Sequence, residues 1–245
     1  MSEASSQSRF PIRSERTDGT DGKRRRERTD RTDRTYRKRG KKGQTRRERT
    51  NGKRKSDRKT MDIAVYSGSF NPLHIGHLAI MKHMTEEAGF WYVYLIVSPK
   101  NPLKEGISSA TGRERYEAAI EAVRRHEGLR VWVDDIELDM PEPHYTIRTL
   151  DALREREPEN TFTLVIGADN LADIRRWRDY KRILSEYGVA VFPRTGFDLS
   201  AIKEDLLAED SSYRITLLNA EMVDISSTTI REAIASGQDV SAWLM

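Results

Sequence analysis

Two imidazoles three residues apart, in His74-Ile75-Gly76-His77, carry the densest chemistry of this sequence. They close the stretch Gly68-Ser69-Phe70-Asn71-Pro72-Leu73-His74-Ile75-Gly76-His77-Leu78. Gly68 lets backbone pass close to a ligand, and Asn71-Pro72 marks a turn. The spacing predicts that a helix begins at the histidines, and a helix start presents unpaired N–H groups and partial positive charge to a phosphate. Histidines held there, neutral or protonated, donate to oxygens that gain charge during phosphoryl or nucleotidyl transfer. One histidine near a helix start usually caps or packs; two, after Gly-Ser-Phe-Asn-Pro, point to chemistry. Zinc fits less well, because His83, His126 and His144 are scattered and no third ligand follows at a suitable spacing. Asp134-Asp135 ends an apolar run, and nothing there turns both carboxylates onto one ion.

The elements that must position this loop are legible in the texture after Met61. Short apolar runs predict strands at Ile63–Ser67, Trp91–Val97, Leu129–Val133, Thr161–Ile166, Val189–Phe192 and Arg214–Leu218. Between them, patterns near Gly76–Ala88, Gly112–Arg125, Ile147–Arg156, Asp179–Tyr187 and Thr228–Ala235 predict helices. Alternating strands and helices imply an α/β fold, a mainly parallel sheet covered on both faces. Ligands of such sheets sit at the carboxyl ends of strands where the strand order reverses. The chemistry is therefore expected just after the first, second and fourth strands. The aromatic run Trp91-Tyr92-Val93-Tyr94 is read as core and sheet surface.

Composition divides the 245 residues near Met61. Residues 1–60 hold 23 Lys/Arg against 9 Asp/Glu, a net of +14, whereas residues 61–245 hold 20 against 30, a net of −10. In the first segment only Met1, Ala4, Phe10, Ile12 and Tyr36 are hydrophobic, too few to offset roughly 1–2 kcal/mol of backbone entropy per ordered residue. It reads as a disordered basic extension. Its clusters, such as Lys23-Arg24-Arg25-Arg26, could neutralise the phosphates of a nucleic acid; an inert solvated tail and translation upstream of a true start at Met61 are the competing readings. The chain has no cysteine, which excludes a disulfide scaffold, a thiolate metal site and a cysteine nucleophile. No apolar run approaches the roughly 18 residues that span a bilayer, and a soluble cytoplasmic protein is expected.

Several motifs together resemble one family. The Gly68–His77 stretch resembles the signature of nucleotidyltransferases with a His-x-Gly-His element. Ser98-Pro99-Lys100-Asn101-Pro102-Leu103-Lys104, Tyr145-Thr146-Ile147-Arg148-Thr149-Leu150, Ile166-Gly167-Ala168-Asp169-Asn170, Trp177 and Ile225-Ser226-Ser227-Thr228-Thr229-Ile230-Arg231 narrow it to bacterial nicotinate-nucleotide adenylyltransferases, over about residues 61–240. That resemblance implies a Rossmann-like doubly wound fold. It also implies transfer of AMP from ATP to nicotinate mononucleotide, giving deamido-NAD and pyrophosphate, with Mg2+ accompanying the nucleotide and no protein metal site. His74, His77 and Arg231 would stabilise the transferring phosphates. Gly68, Ser69, Phe70, Gly76, Gly167, Asp169, Ser226, Ser227 and Thr228 would bind ATP, Asp169 through a ribose hydroxyl. Asn101, Lys104, Tyr145, Thr146 and Trp177 would bind the mononucleotide, with Trp177 stacking the pyridine ring. Taken without the resemblance, Ser226-Ser227-Thr228 is an ordinary helix cap and Trp177 a packing residue among arginines.

Two features depart from the family pattern. A position often aromatic in relatives is Arg178 here, and relatives usually continue past the region of Gly237 with a proline and a further helix, where this sequence reads Trp243-Leu244-Met245. Adenylyl transfer to nicotinamide mononucleotide or to phosphopantetheine stays open as an alternative, as does a nucleic-acid-binding protein that uses the transferase-like domain as scaffold.

Overall fold

A computed structural model describes residues 60–99, 110–220 and 225–245. The basic extension before Thr60, Asn101 and Lys104 lie outside the described residues. Six strands form, β1 Asp62–Gly68, β2 Tyr92–Val97, β3 Val131–Asp134, β4 Thr161–Gly167, β5 Val189–Phe192 and β6 Ile215–Leu217. They make one sheet in the order β3-β2-β1-β4-β5-β6, with every neighbouring pair parallel. Parallel neighbours require crossovers, supplied chiefly by helices α1 Ile75–Glu86, α2 Gly112–Arg124 and α3 Thr146–Arg156. Further along the chain lie α4 Ala168–Ala172, α5 Tyr180–Arg182, α6 Leu199–Glu209 and α7 Ser227–Ala235. The order reverses between β1 and β4, so the crevice beyond their carboxyl ends is where this topology places a ligand.

Apolar residues on both faces of each strand make two cores. Ala64, Tyr66, Val93 and Leu95 meet Met81 and Met84 of α1 and Tyr116, Ala119 and Ile120 of α2 on one face. Ile63, Val65, Phe162 and Leu164 meet Ile147, Leu150 and Leu153 of α3, with Ile183, Leu184 and Leu206, on the other. Leu150, Leu153, Leu164 and Leu184 are wholly shielded from water or nearly so, and truncating any one to Ala costs about 2–5 kcal/mol.

Several elements differ from the sequence expectation, among them the short helix α4, the start of β3, the segment to Tyr187 and helix α6. Leu129 falls outside β3, because the chain turns there through Gly128, at φ +83, and the Leu129 amide bonds the His126 carbonyl at 3.3 Å. The expected helix to Tyr187 passes from α5 into a π-helical turn at Ile183–Tyr187. There the Leu184 carbonyl accepts the Arg214 amide at 2.9 Å, and the Gly188 amide reaches back five residues to Ile183 at 2.8 Å. Helix α6 was unexpected, although Asp198 caps it, accepting from the Ala201 amide at 3.0 Å.

Candidate active site

At the carboxyl end of β1 the chain turns sharply into α1. Phe70 sits in the left-handed region at φ +43, which lays its ring edge-on to Tyr66 at 5.3 Å and to His77 at 5.1 Å between centroids. Gly68 permits that fold-back, since a Cβ there would lie 3.1 Å from the Phe70 ring. His74 is the N-cap of α1 in extended backbone. Its carbonyl accepts from the His77 amide at 2.9 Å and the Leu78 amide at 3.1 Å. Its own amide donates to His77 Nδ1 at 3.2 Å. That bond fixes the tautomer: with Nδ1 accepting, neutral His77 carries its proton on Nε2 and donates there.

The two imidazoles lie against one another in a tilted contact, with centroids 3.7 Å apart and planes 34° apart. The glycine between them is needed for packing as well as flexibility: a Cβ on Gly76 would lie 3.0 Å from His74 Nδ1 and 3.2 Å from Ile225. His74 is only 5% exposed, and its Nδ1 is buried without a partner. Burial, and after it the Arg194 guanidinium, pushes His74 down to about 4. His77 is held well below the usual imidazole range by burial first, then His74, then Arg194. Both rings are neutral at pH 7, hydrogen-bond donors rather than fixed cations.

Arg194, just beyond β5, was not singled out in the sequence. Its Nε lies 3.5 Å from Asp169 Oδ1, and its guanidinium sits 5.4 Å from the Phe192 ring centroid. It ties the fifth-strand loop to the Asp169 motif and gives the crevice a fixed positive charge. Gly167 caps α4, and a Cβ there would meet the Asp169 carboxylate and lie 3.1 Å from Phe192.

Helix α7 is fastened to the first loop. Ser226 caps it, accepting from the Thr229 amide at 3.1 Å. Ser227 Oγ donates to the Pro72 carbonyl at 3.0 Å. Arg231 donates from Nη1 to the Asn71 carbonyl at 2.8 Å and from Nη2 to Thr228 Oγ1 at 2.9 Å. Ser226 and Ser227 therefore serve as cap and fastener, and the groups left for an anion are the amides opening α7, the Thr228 O–H, which only accepts from Arg231, and the remaining donors of Arg231.

Tyr145 and Trp177 lie apart from this cluster, packed against the core of the opposite sheet face. Tyr145 is the N-cap of α3, followed by Thr146, and the helix begins with no side-chain cap and no acidic residue in its first turn. Its first amides are open to a carboxylate. Trp177 closes the turn Ile174–Arg176 in extended backbone. Asp134 is occupied elsewhere, accepting two bonds from Arg156 at 3.2 and 2.6 Å, while Asp135 pairs with Arg113 at 3.6 Å. Among the described residues no group of three or more His, Asp or Glu side chains could hold a metal ion, and no helix is long and apolar enough to cross a membrane.

A doubly wound parallel sheet with a His-x-Gly-His helix start at its switch point defines a nucleotidyltransferase. The cytidylyltransferase-like family matches residues 65–233, and the chain belongs to it. Within that family it is similar to proteins named "probable nicotinate-nucleotide adenylyltransferase". The one from Flavobacterium johnsoniae is 35% identical over 184 residues, covering 75% of this chain and 92% of that protein. The one from Porphyromonas gingivalis is 38% identical over 184 residues, covering 75% and 89%. Among solved structures, Plasmodium falciparum nicotinic acid mononucleotide adenylyltransferase complexed with NaAD superposes with a TM-score of 0.61 over 74% of this chain and 87% of that one. At 18% identity that likeness is one of fold.

Proposed function

We propose that the chain transfers AMP from ATP to nicotinate mononucleotide, releasing deamido-NAD and pyrophosphate in NAD biosynthesis. The observation that carries this reading is the neutral, closely packed imidazole pair at the start of α1, with His77 Nε2 fixed as a donor, in a chain whose relatives bear that name. A phosphate oxygen of the mononucleotide attacks the α-phosphorus of ATP, and the bond to pyrophosphate breaks in the same displacement. No covalent enzyme intermediate is required. The protein's work is to align two anions and stabilise the charge spread over the transferring group.

His77, His74 and Arg231 face that charge, with Arg194 as a fourth positive or donor group. Gly68, Ser69, Phe70 and Gly76 bring backbone close to the nucleotide, and Gly167 and Asp169 meet its ribose. Ser226, Ser227 and Thr228 act through the amides that open α7. Trp177 stacks the pyridine ring, and the open amides that follow Tyr145, those of Thr146 and Ile147 at the start of α3, meet its carboxylate; Lys104 neutralises the mononucleotide phosphate, and Asn101 belongs to the same binding segment. Mg2+ travels on the ATP phosphates, which need no dedicated protein cage. Residues 61–245 contain this machinery.

The full chain, incubated with ATP, Mg2+ and either nicotinate mononucleotide, nicotinamide mononucleotide or phosphopantetheine, is tested by pyrophosphate release. The expected result is turnover with the nicotinate substrate at least tenfold above the others. Equal use of both mononucleotides, or preference for phosphopantetheine, would overturn it.

A further inference from the structure

Arg115 is a buried cation that the adenylyl-transfer reading does not use. It stands in the first turn of α2, is 4% exposed, and its guanidinium is directed entirely at backbone carbonyls. Nη1 donates to the Ser69 carbonyl at 2.5 Å and to the Ser98 carbonyl at 2.8 Å. Nη2 donates to the Pro99 carbonyl at 2.9 Å. Among the described residues no carboxylate pairs with it, Nε is buried without a partner, and burial lowers its proton affinity with no opposing charge. An apolar side chain would fill the site without desolvating a charge. Three dipoles from two loops explain what the cation gains there.

Those loops are the two that meet the substrates in the proposed reaction. Ser69 follows β1, between Gly68 and the left-handed Phe70. Ser98 and Pro99 follow β2 and lead into the segment carrying Asn101 and Lys104. The anchor is itself fixed: Thr111 and Glu114 form a capping box, with the Glu114 amide donating to Thr111 Oγ1 at 3.2 Å and the Thr111 amide to Glu114 Oε2 at 2.7 Å. The start of α2 packs on the second loop so tightly that a Cβ at Gly112 would lie 3.0 Å from Pro99. In a trans peptide the carbonyl and the following amide point in opposite directions. With the Ser69 carbonyl held by Arg115, the Phe70 amide is turned away from it, and no described residue accepts from that amide.

We propose that Arg115 is a positioning residue that clamps the first- and second-strand loops together and aims the Phe70 amide into the nucleotide site. The inference rests on the proposed reaction only for the identity of the second substrate; ATP binding tests the clamp alone. Three variants are compared with the full-length wild type by calorimetric ATP binding, by turnover with nicotinate mononucleotide, and by thermal unfolding: Arg115→Met, Arg115→Gln and Arg115→Lys. Arg115→Met is expected to weaken ATP binding about tenfold and lower kcat by at least that factor at temperatures where the variant is folded. Arg115→Lys, which keeps the charge but has no fork to bridge two loops, should recover only part of both.

Loss of thermal stability alone, with ATP affinity and kcat within twofold of wild type in every variant that folds, would overturn the clamp. Full recovery by Arg115→Lys would also overturn it, since charge rather than bridging geometry would then suffice. A wild type that binds ATP but does not use nicotinate mononucleotide would defeat the functional reading, while the variants' ATP affinities would still decide the clamp. A wild type that does not bind ATP would defeat both.

Discussion

His77 donates from Nε2 because its Nδ1 is already engaged by the His74 amide. A donor held in this way is used most where phosphate charge develops, in the transition state. His77→Ala is therefore expected to lower kcat about a hundred- to a thousandfold, the usual loss for one such donor, with a much smaller change in KM for ATP. Steady-state kinetics with both substrates varied checks this. The charge state of the pair is set first by burial, then for His77 by its neighbour His74, and for both rings by Arg194. Arg194→Met removes the cation but not the burial, so both imidazoles should titrate higher while staying below 6.5, readable in the histidine ring protons by NMR. The sign carries over to stability. Folded His74 binds its proton near pH 4 and the unfolded chain near 6.5, so this contribution is whole above about pH 6.5 and is lost as pH falls toward 4. The loss between those values should be smaller in Arg194→Met.

Among the elements, the proposed reaction assigns recognition of the mononucleotide to α3 and the turn before α5. Nicotinate and nicotinamide rings have nearly the same shape, so stacking on Trp177 cannot separate them, whereas the open amides at the start of α3 can. An amide NH2 facing those N–H groups leaves buried donors unpaired at about 1–3 kcal/mol each, or roughly ten- to a hundredfold in kcat/KM. Trp177→Ala should then raise KM for both mononucleotides and leave their ratio within about threefold. Competition between the two substrates, with pyrophosphate release as readout, decides it; a reversed preference in that single variant would relocate the discrimination to the tryptophan. The same element logic explains Gly76, which must lack a side chain because the His74 ring and Ile225 converge on it.

At the scale of the whole molecule, every residue placed in the proposed reaction lies after Met61, and the net charge changes from +14 before that point to −10 beyond. Deleting residues 1–60 is expected to leave kcat within a few-fold of the parent. A loss beyond about a hundredfold in a folded deletion variant would mean that the extension supplies roughly 3 kcal/mol of transition-state stabilisation. The sequence by itself determined the alternation of strands and helices, because burial on both faces of a parallel sheet demands continuous apolar runs such as Val189–Phe192. It also determined the turn from β1 into α1 with its paired histidines, because glycines, a turn and two histidines were contiguous in the chain. What it left hidden was carried by distance. The Leu184 carbonyl was captured by Arg214, which turned an expected α-helix into a π-turn. Arg194 acts on imidazoles 117 and 120 positions away in the chain. Arg115 left one local trace, a charge on the stripe of α2 shared with Ala119 and Ala122, but its three carbonyl partners belong to loops that only the folded sheet brings together. Only tertiary structure decided these, because hydrogen-bond partners and burial, unlike periodicity, are properties of residues that meet in space.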